Sequence, residues 1–364
     1  MNRREFLRYL NGLGLTLAFG AGIAGAEGFA RKKGGALPPG MLVIDAHAHP
    51  DQFYYLGPPI VLDDSSTLAQ IESLGMQGSS FAAVGDSSTQ PFSLDRVIAQ
   101  LDYVAGLESR GLVKIVRSRR DLPNAELRKR EAPGAIVTLE GASPIGSDPA
   151  TALLNLDYLH CRGVRMITLM HYLDNPFGEA MRRSHPGKEG TGLTPLGRQV
   201  IERMMSLGIV VDVAHAHYAT LRDIAEIAKA HRLPVVDSHT SLSPLADPNG
   251  GRLRTWEEME MIASTGGLVC TWPLKWVDPA TGTGRLTLRD WAEENYQMME
   301  RLGGEHIGFG TDGGGILPER VDGYRSLLDI PALIDAMDEV GFLRWEIDLY
   351  MGRNLSRVLR KCIG

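Results

Sequence analysis

From Met41 to the C-terminus, short apolar runs alternate with segments whose apolar positions recur every three or four residues. The runs at 42–45, 80–84, 113–116, 135–139, 165–169, 209–213, 234–237, 268–271 and 307–310 have the length and side-chain type of buried strands. Amphipathic helical periods separate them. Leu193, Leu196, Val200, Ile201, Met204 and Met205 share one helix face that stops at Gly208, and Leu221, Ile224, Ile227 and Ala228 lead into the run at Pro234. A crossover helix returns the chain to the same end of a sheet, so strands alternating with helices pair in parallel. The pattern therefore predicts an α/β fold, a TIM-like (β/α)8 barrel, with an open doubly wound sheet as the alternative that periodicity leaves standing. Nine runs exceed a barrel's eight by one. The run at 113–116 is the one left out, because Lys114 and Arg117 interrupt it. No glycine fingerprint follows the first strand, and neither a phosphate-binding loop nor an internal repeat is present.

The opening residues do not follow this alternation. A charged start, Met1-Asn2-Arg3-Arg4-Glu5-Phe6-Leu7-Arg8, precedes an apolar run through Leu13, Leu15, Leu17 and Phe19 and a small-residue site, Ala24-Gly25-Ala26. That order predicts an export signal over 1–26, and adjacent arginines followed by Phe-Leu resemble the bacterial twin-arginine type. Residues 27–40 read as a linker and 41–364 as one barrel metallohydrolase domain. The expectation is a periplasmic or secreted protein that meets the export machinery through its signal; an uncleaved anchor is the alternative. Composition narrows the partners. Lys and Arg number 38 against 44 Asp and Glu, a net charge of −6, which provides no overall basic field for nucleic acid. The three cysteines, Cys161, Cys270 and Cys362, are too widely spaced for a metal clip or a disulfide framework. The long polar stretch 174–192 suits a lid or pocket wall.

The chemistry gathers where the strands end. The first run leads into Asp45-Ala46-His47-Ala48-His49, the fourth into Glu140, the fifth into His171, the sixth into His215, the seventh into His239 and the last into Asp312. Residues two apart on a strand share a face, so His47 and His49 can grip one ion. Parallel barrels build their active sites at this end, and charged groups crowded at a core rim are costly unless they pair or bind a cation. Any one of these residues could instead be a hydrogen-bonded structural group, a helix cap or a turn residue. Their joint recurrence carries the signal. Four histidines and a carboxylate without thiolate fit two neighbouring divalent ions, zinc first, with manganese or cobalt as alternatives. Glu140 is the natural bridge between them, and Asp312 suits an acid that moves a proton to the leaving group.

These pieces resemble the membrane dipeptidase (renal dipeptidase) family of dinuclear zinc peptidases from about Val43 to Leu359. The resemblance rests on Asp45-Ala46-His47, Leu139-Glu140-Gly141, Leu169-Met170-His171, Gly192-Leu193-Thr194-Pro195, Asp212-Val213-Ala214-His215, Ser238-His239-Thr240-Ser241, Gly310-Thr311-Asp312 and Gly352-Arg353-Asn354-Leu355, in family order. It implies a dipeptidase, including one that accepts a C-terminal D-residue, acting through a metal-bridging hydroxide. His47 and His49 would hold the first zinc and His215 with His239 the second, bridged by Glu140. His171 would contact the scissile carbonyl oxygen, Arg252 would clamp the free carboxylate of a small peptide substrate, and Asp312 would relay the proton. A homodimer is compatible with the resemblance. Three departures stand out. His49 replaces the family's usual aspartate, Arg252 is followed by Leu253 with Arg254 as a rival clamp, and glycines at 313–315 replace a second aspartate. Two further functions stay open: a related amidohydrolase acting on another amide, a lactone or an N-acyl amino acid, and a non-catalytic zinc-binding scaffold.

Overall fold

The computed structural model describes residues 36–56, 66–125, 131–182, 187–243, 253–277, 284–315, 317 and 319–364. The expected signal 1–26 and residues 27–35 of the expected linker lie outside them. In chain order the main elements are β1 (Ile44–Asp45), α1 (Leu68–Leu74), β2 (Gly78–Val84), α2 (Leu94–Ser109), β3 (Lys114–Ile115), β4 (Gly134–Glu140), α3 (Pro149–Cys161), β5 (Met166–Thr168), α4 (Pro195–Leu207), β6 (Val210–Asp212) and α5 (Tyr218–His231). They continue as β7 (Val236–Thr240), α6 (Trp256–Ala263), β8 (Leu268–Thr271), β9 (Trp276–Val277), β10 (Gly284–Arg285), α7 (Leu288–Leu302), β11 (Ile307–Phe309), α8 (Ile330–Val340), α9 (Arg344–Asp348) and α10 (Asn354–Cys362).

Eight strands pair in parallel in the order β1-β2-β4-β5-β6-β7-β8-β11. The Ala46 amide donates to the Phe309 carbonyl at 3.2 Å, which joins the last strand to the first. The result is the TIM-like (β/α)8 barrel, and the open sheet is set aside. The run at 113–116 does form a strand, but β3 pairs with the start of β4, Lys114 opposite Gly134 and Ile115 opposite Ala135, and stays off the ring.

Strand periodicity divides the apolar side chains between two cores. Ile44, Ile136, Met166, Val210, Val236 and Leu268 fill the barrel interior, where they meet Leu355, Val358, Leu359 and Ile363 from α10 and the chain end. Their outward-facing neighbours Val43, Val137, Ile167, Val211 and Val269 join the larger core beneath the surrounding helices. The interior residues lie near the strand starts, so α10 closes that end with apolar packing. Polar side chains are left to the opposite mouth. Helix ends follow local rules: Thr194 caps α4 by accepting from Gly197 N, Pro195 follows it, and Gly208 ends the helix at a φ of 77°.

Candidate metal centre

Three of the strand-end acids are scaffolding rather than ligands. Asp45 accepts from Thr311 Oγ1 at 2.5 Å and Thr311 N at 2.9 Å, tying β1 to the segment after β11. Asp212 accepts from Thr168 Oγ1 and Ser238 Oγ, both at 2.6 Å, tying β6 to β5 and β7. Asp237 accepts from Arg254 Nε at 2.8 Å. Burial pushes the carboxyls of Asp45 and Asp237 up to about 6, against the pull of Thr311 on one and Arg254 on the other. These ties fix the strand ends from which the histidines project.

Glu140, at the end of β4, is the hub. Its Oε1 lies 3.3 Å from His215 Nε2, 3.4 Å from His47 Nε2, 3.5 Å from His239 Nε2 and 3.6 Å from His171 Nε2, while Oε2 lies 3.5 Å from His49 Nε2. All six residues are buried. The far sides of the rings are anchored. His49 Nδ1 donates to the Ala82 carbonyl at 2.7 Å, and His239 Nδ1 meets Ser238 Oγ at 2.9 Å, so each ring turns Nε2 inward. His215 and His239 face each other through Nε2 at 2.9 Å. His47 Nε2 is buried without a hydrogen-bond partner. Burial opposes charge on Glu140, yet His171 and His47 beside it hold its carboxyl well below the usual range. Burial likewise opposes a proton on His47, but Glu140, with Asp312 and Asp212, raises it to about 9. The pocket is thus built to hold positive charge. Three overlapping sets, His47–His49–Asp312, His47–Glu140–His239 and Glu140–His171–His215, each bring ligand atoms within 4.8 Å of one another. Imidazole and carboxylate donors at this spacing fit divalent cations.

Asp312 stands at the rim of this cluster, its Oδ1 3.4 Å from His49 Nε2. It adopts a left-handed conformation, φ 48°, and its amide donates to the His47 carbonyl at 2.8 Å. The glycine loop has a steric reason: a Cβ on Gly315 would come within 2.0 Å of Asp312 Oδ1. Tyr54, packed against the His49 ring, donates to the Gly314 carbonyl at 3.3 Å.

Asp86 is a site residue that sequence reasoning passed over. It lies two residues beyond β2, and its Oδ1 accepts from His171 Nδ1 at 2.7 Å, turning His171 Nε2 toward Glu140. Gly141 makes room for it, since a Cβ there would sit 3.1 Å from the Asp86 carboxylate. The available signal was the second strand's own carboxyl end, Val84-Gly85-Asp86.

Arg254, the expected alternative clamp, is corrected. Its side chain is buried, and its guanidinium donates to Asp237, to Glu258 Oε1 at 2.9 Å, and to the carbonyls of Ala216 and Val213. With four of its five N–H donors engaged and its side chain only 1% exposed, it serves as a tie between β7, α6 and the segment after β6. Arg252 lies outside the described residues. The described part of the stretch 174–192 also differs from the expected pocket wall, and residues 183–186 lie outside the described residues. Met181 N donates to the His215 carbonyl at 2.6 Å and Asn175 Nδ2 to the Leu169 carbonyl at 2.7 Å, so its described part packs behind His215. Trp272 is buried with its ring 5.3 Å from that of His239. A cavity of about 380 Å³ opens over the cluster, lined by Glu140, four of its histidines and Asp312, and walled on the β2 side by Asp86, Phe92 and Arg96.

Residues 65–363 match the membrane dipeptidase family, peptidase family M19. The chain is 31% identical over 212 residues to the uncharacterized dipeptidase C965.12 of Schizosaccharomyces pombe, covering 58% of this chain and 50% of that one. It is 25% identical over 267 residues to the dipeptidase verJ of Clonostachys rogersoniana, covering 73% and 65% respectively. It thus spans between half and just under two thirds of the length of these curated relatives. The structure of a metallo peptidase from Rhodobacter sphaeroides, liganded with a phosphinate mimic of the dipeptide L-Ala-D-Ala, has the same fold, with a TM-score of 0.73 at 18% identity over 88% of this chain and 99% of that one. With its barrel, its Glu140-centred histidines and this match, the chain belongs to the membrane dipeptidase family.

Proposed function

We propose that the protein is a metal-dependent dipeptidase that hydrolyses the amide bond of dipeptides, those with a C-terminal D-residue included, using two divalent ions, zinc first. One observation carries this reading: five imidazole Nε2 atoms surround the Glu140 carboxylate at 3.3–3.6 Å in a buried pocket. His47 and His49 would hold one ion and His215 with His239 the other; Glu140 Oε2 faces His49, while its Oε1 faces His47 as well as His215 and His239 and lies among both sets. Ions bound there would supply Lewis acidity, polarising the scissile carbonyl and making water acidic enough to attack near neutral pH.

The chain's own residues do the rest. Asp312, beside His49 at the rim, accepts the proton released by the attacking water and returns it to the leaving amine nitrogen. His171, held by Asp86 through Nδ1, offers Nε2 toward the centre and, carrying a proton there, donates to the oxygen of the carbonyl as charge builds on it. Arg252 would clamp the free carboxylate through a two-pronged guanidinium contact. The R. sphaeroides relative's dipeptide mimic supports a substrate of this size, and a cavity of about 380 Å³ has room for one. The test is hydrolysis of Ala-D-Ala beside its C-terminally amidated analogue by the zinc-loaded protein. Cleavage of the free acid alone supports a dipeptidase with a cationic clamp. Cleavage of neither by protein carrying two ions overturns the substrate.

A further inference from the structure

Arg96 stands in the wall of the catalytic cavity, and among the described residues no acidic group forms an ion pair with it. It lies in the first turn of α2, where Ser93 Oγ accepts from its backbone amide at 3.3 Å. Its guanidinium rests 3.9 Å over the ring of Phe92, another wall residue. That stacking covers one face of the guanidinium and uses none of its N–H donors. Its Nε is buried and has no hydrogen-bond partner, and among the described residues no carboxylate pairs with it. The acid that shares its wall, Asp86, gives Oδ1 to His171. Two fully buried arginines, Arg254 and Arg285, behave differently from the half-buried Arg96: Arg254 binds Asp237 and Glu258, and Arg285 binds Glu294. A partly desolvated cation without a partner is unfavourable in the empty pocket and becomes favourable when a ligand supplies the anion.

Ring order indicates which anion. β2 and β7 stand four places apart among eight, on opposite sides of the mouth. Arg252, the proposed clamp for the free carboxylate, follows β7 in the chain, whereas Arg96 follows β2. A dipeptide laid across Glu140 with its terminal carboxylate toward β7 extends its N-terminal residue toward β2. We propose that Arg96 is a specificity residue that binds the side-chain carboxylate of an acidic N-terminal residue, so that Glu-Xaa and Asp-Xaa dipeptides are preferred over their neutral counterparts. This rests on the dipeptidase reading of the site.

The experiment compares Glu-Ala with Gln-Ala, which differ by a carboxylate against an amide of equal size. Two quantities are read: kcat/KM of the metal-loaded protein, and the calorimetric Kd of the phosphinate analogues of the two dipeptides. Wild type should favour the Glu compound by about 10-fold in both, as expected when a ligand charge completes a site that otherwise leaves a polar group unpaired. Arg96→Gln should bring both ratios near one, with the loss falling on KM rather than kcat. Arg96→Lys should retain part of the preference, and Arg96→Glu should turn it toward Lys-Ala. Equal ratios in wild type and Arg96→Gln overturn the proposal. So does an equal loss on Glu-Ala, Gln-Ala and Ala-Ala, which would make Arg96 a clamp for the terminal carboxylate. Failure to hydrolyse any dipeptide refutes the dipeptidase reading instead, and the Kd ratio of the analogues then decides on Arg96. Binding of neither analogue refutes both.

Discussion

The two ends of the barrel are built from the same strands and follow opposite rules. At the strand starts, Ile44, Met166, Val210, Val236 and Leu268 meet Leu355, Val358 and Leu359 of α10 in an apolar plug. At the strand ends, within a few residues, the same strands carry Glu140, His171, His215 and His239, buried and aimed at one another. The first end gains stability by removing apolar area from water. The second packs like-natured polar groups together, which is tolerable only because aspartates anchor the backbone behind them and a cation can occupy the middle. The contrast teaches that in this ring stability and chemistry are separable, and substitutions at the two ends should fail in different ways.

The largest effect is expected at the hub. Glu140→Gln removes the charge shared by five histidines, and kcat/KM for Ala-D-Ala should fall by about 10³-fold or more while the fold is retained. Activity near wild type, with melting unchanged, would break the division between the two ends. Arg254→Met should do the reverse: Asp237 and Glu258 are left buried without their partner, costing about 3–5 kcal/mol in denaturant unfolding, with KM of the folded protein little changed. A large rise in KM with intact stability would restore Arg254 as a clamp. In the plug, Leu359→Ala should cost about 2–3 kcal/mol and leave kcat/KM as it was. A smaller and more selective effect belongs to Asp86→Asn, which keeps the volume but weakens the hold on His171: kcat should fall about 10- to 100-fold with KM nearly constant.

Much of this was legible in the sequence because strand and helix periods are local. The apolar runs named the eight strands of the ring, and the residues following them named Glu140, the five histidines and Asp312, which the fold brings together at the barrel mouth. What the sequence hid depends on partners far along the chain. Arg252 and Arg254 have the same chemistry and stand two residues apart, but only the folded chain shows Asp237 and the Ala216 and Val213 carbonyls converging on Arg254. Glu258, four residues on along the start of α6, was the one local hint. Asp86 was missed because the reading of strand ends stopped short of β2. The polar stretch after His171 looked like a lid, because composition does not reveal that its Asn175 side chain and Met181 amide are hydrogen-bonded to the Leu169 and His215 carbonyls.

The central claim is that Glu140 and its histidines form a hydrolytic centre for two divalent ions. The most direct test is to strip the purified protein with a chelator and follow Ala-D-Ala hydrolysis as zinc is returned in measured equivalents. The account predicts no turnover without metal, and full activity only as the second equivalent is bound. Full turnover in the stripped protein, or activity complete at one equivalent, would contradict it.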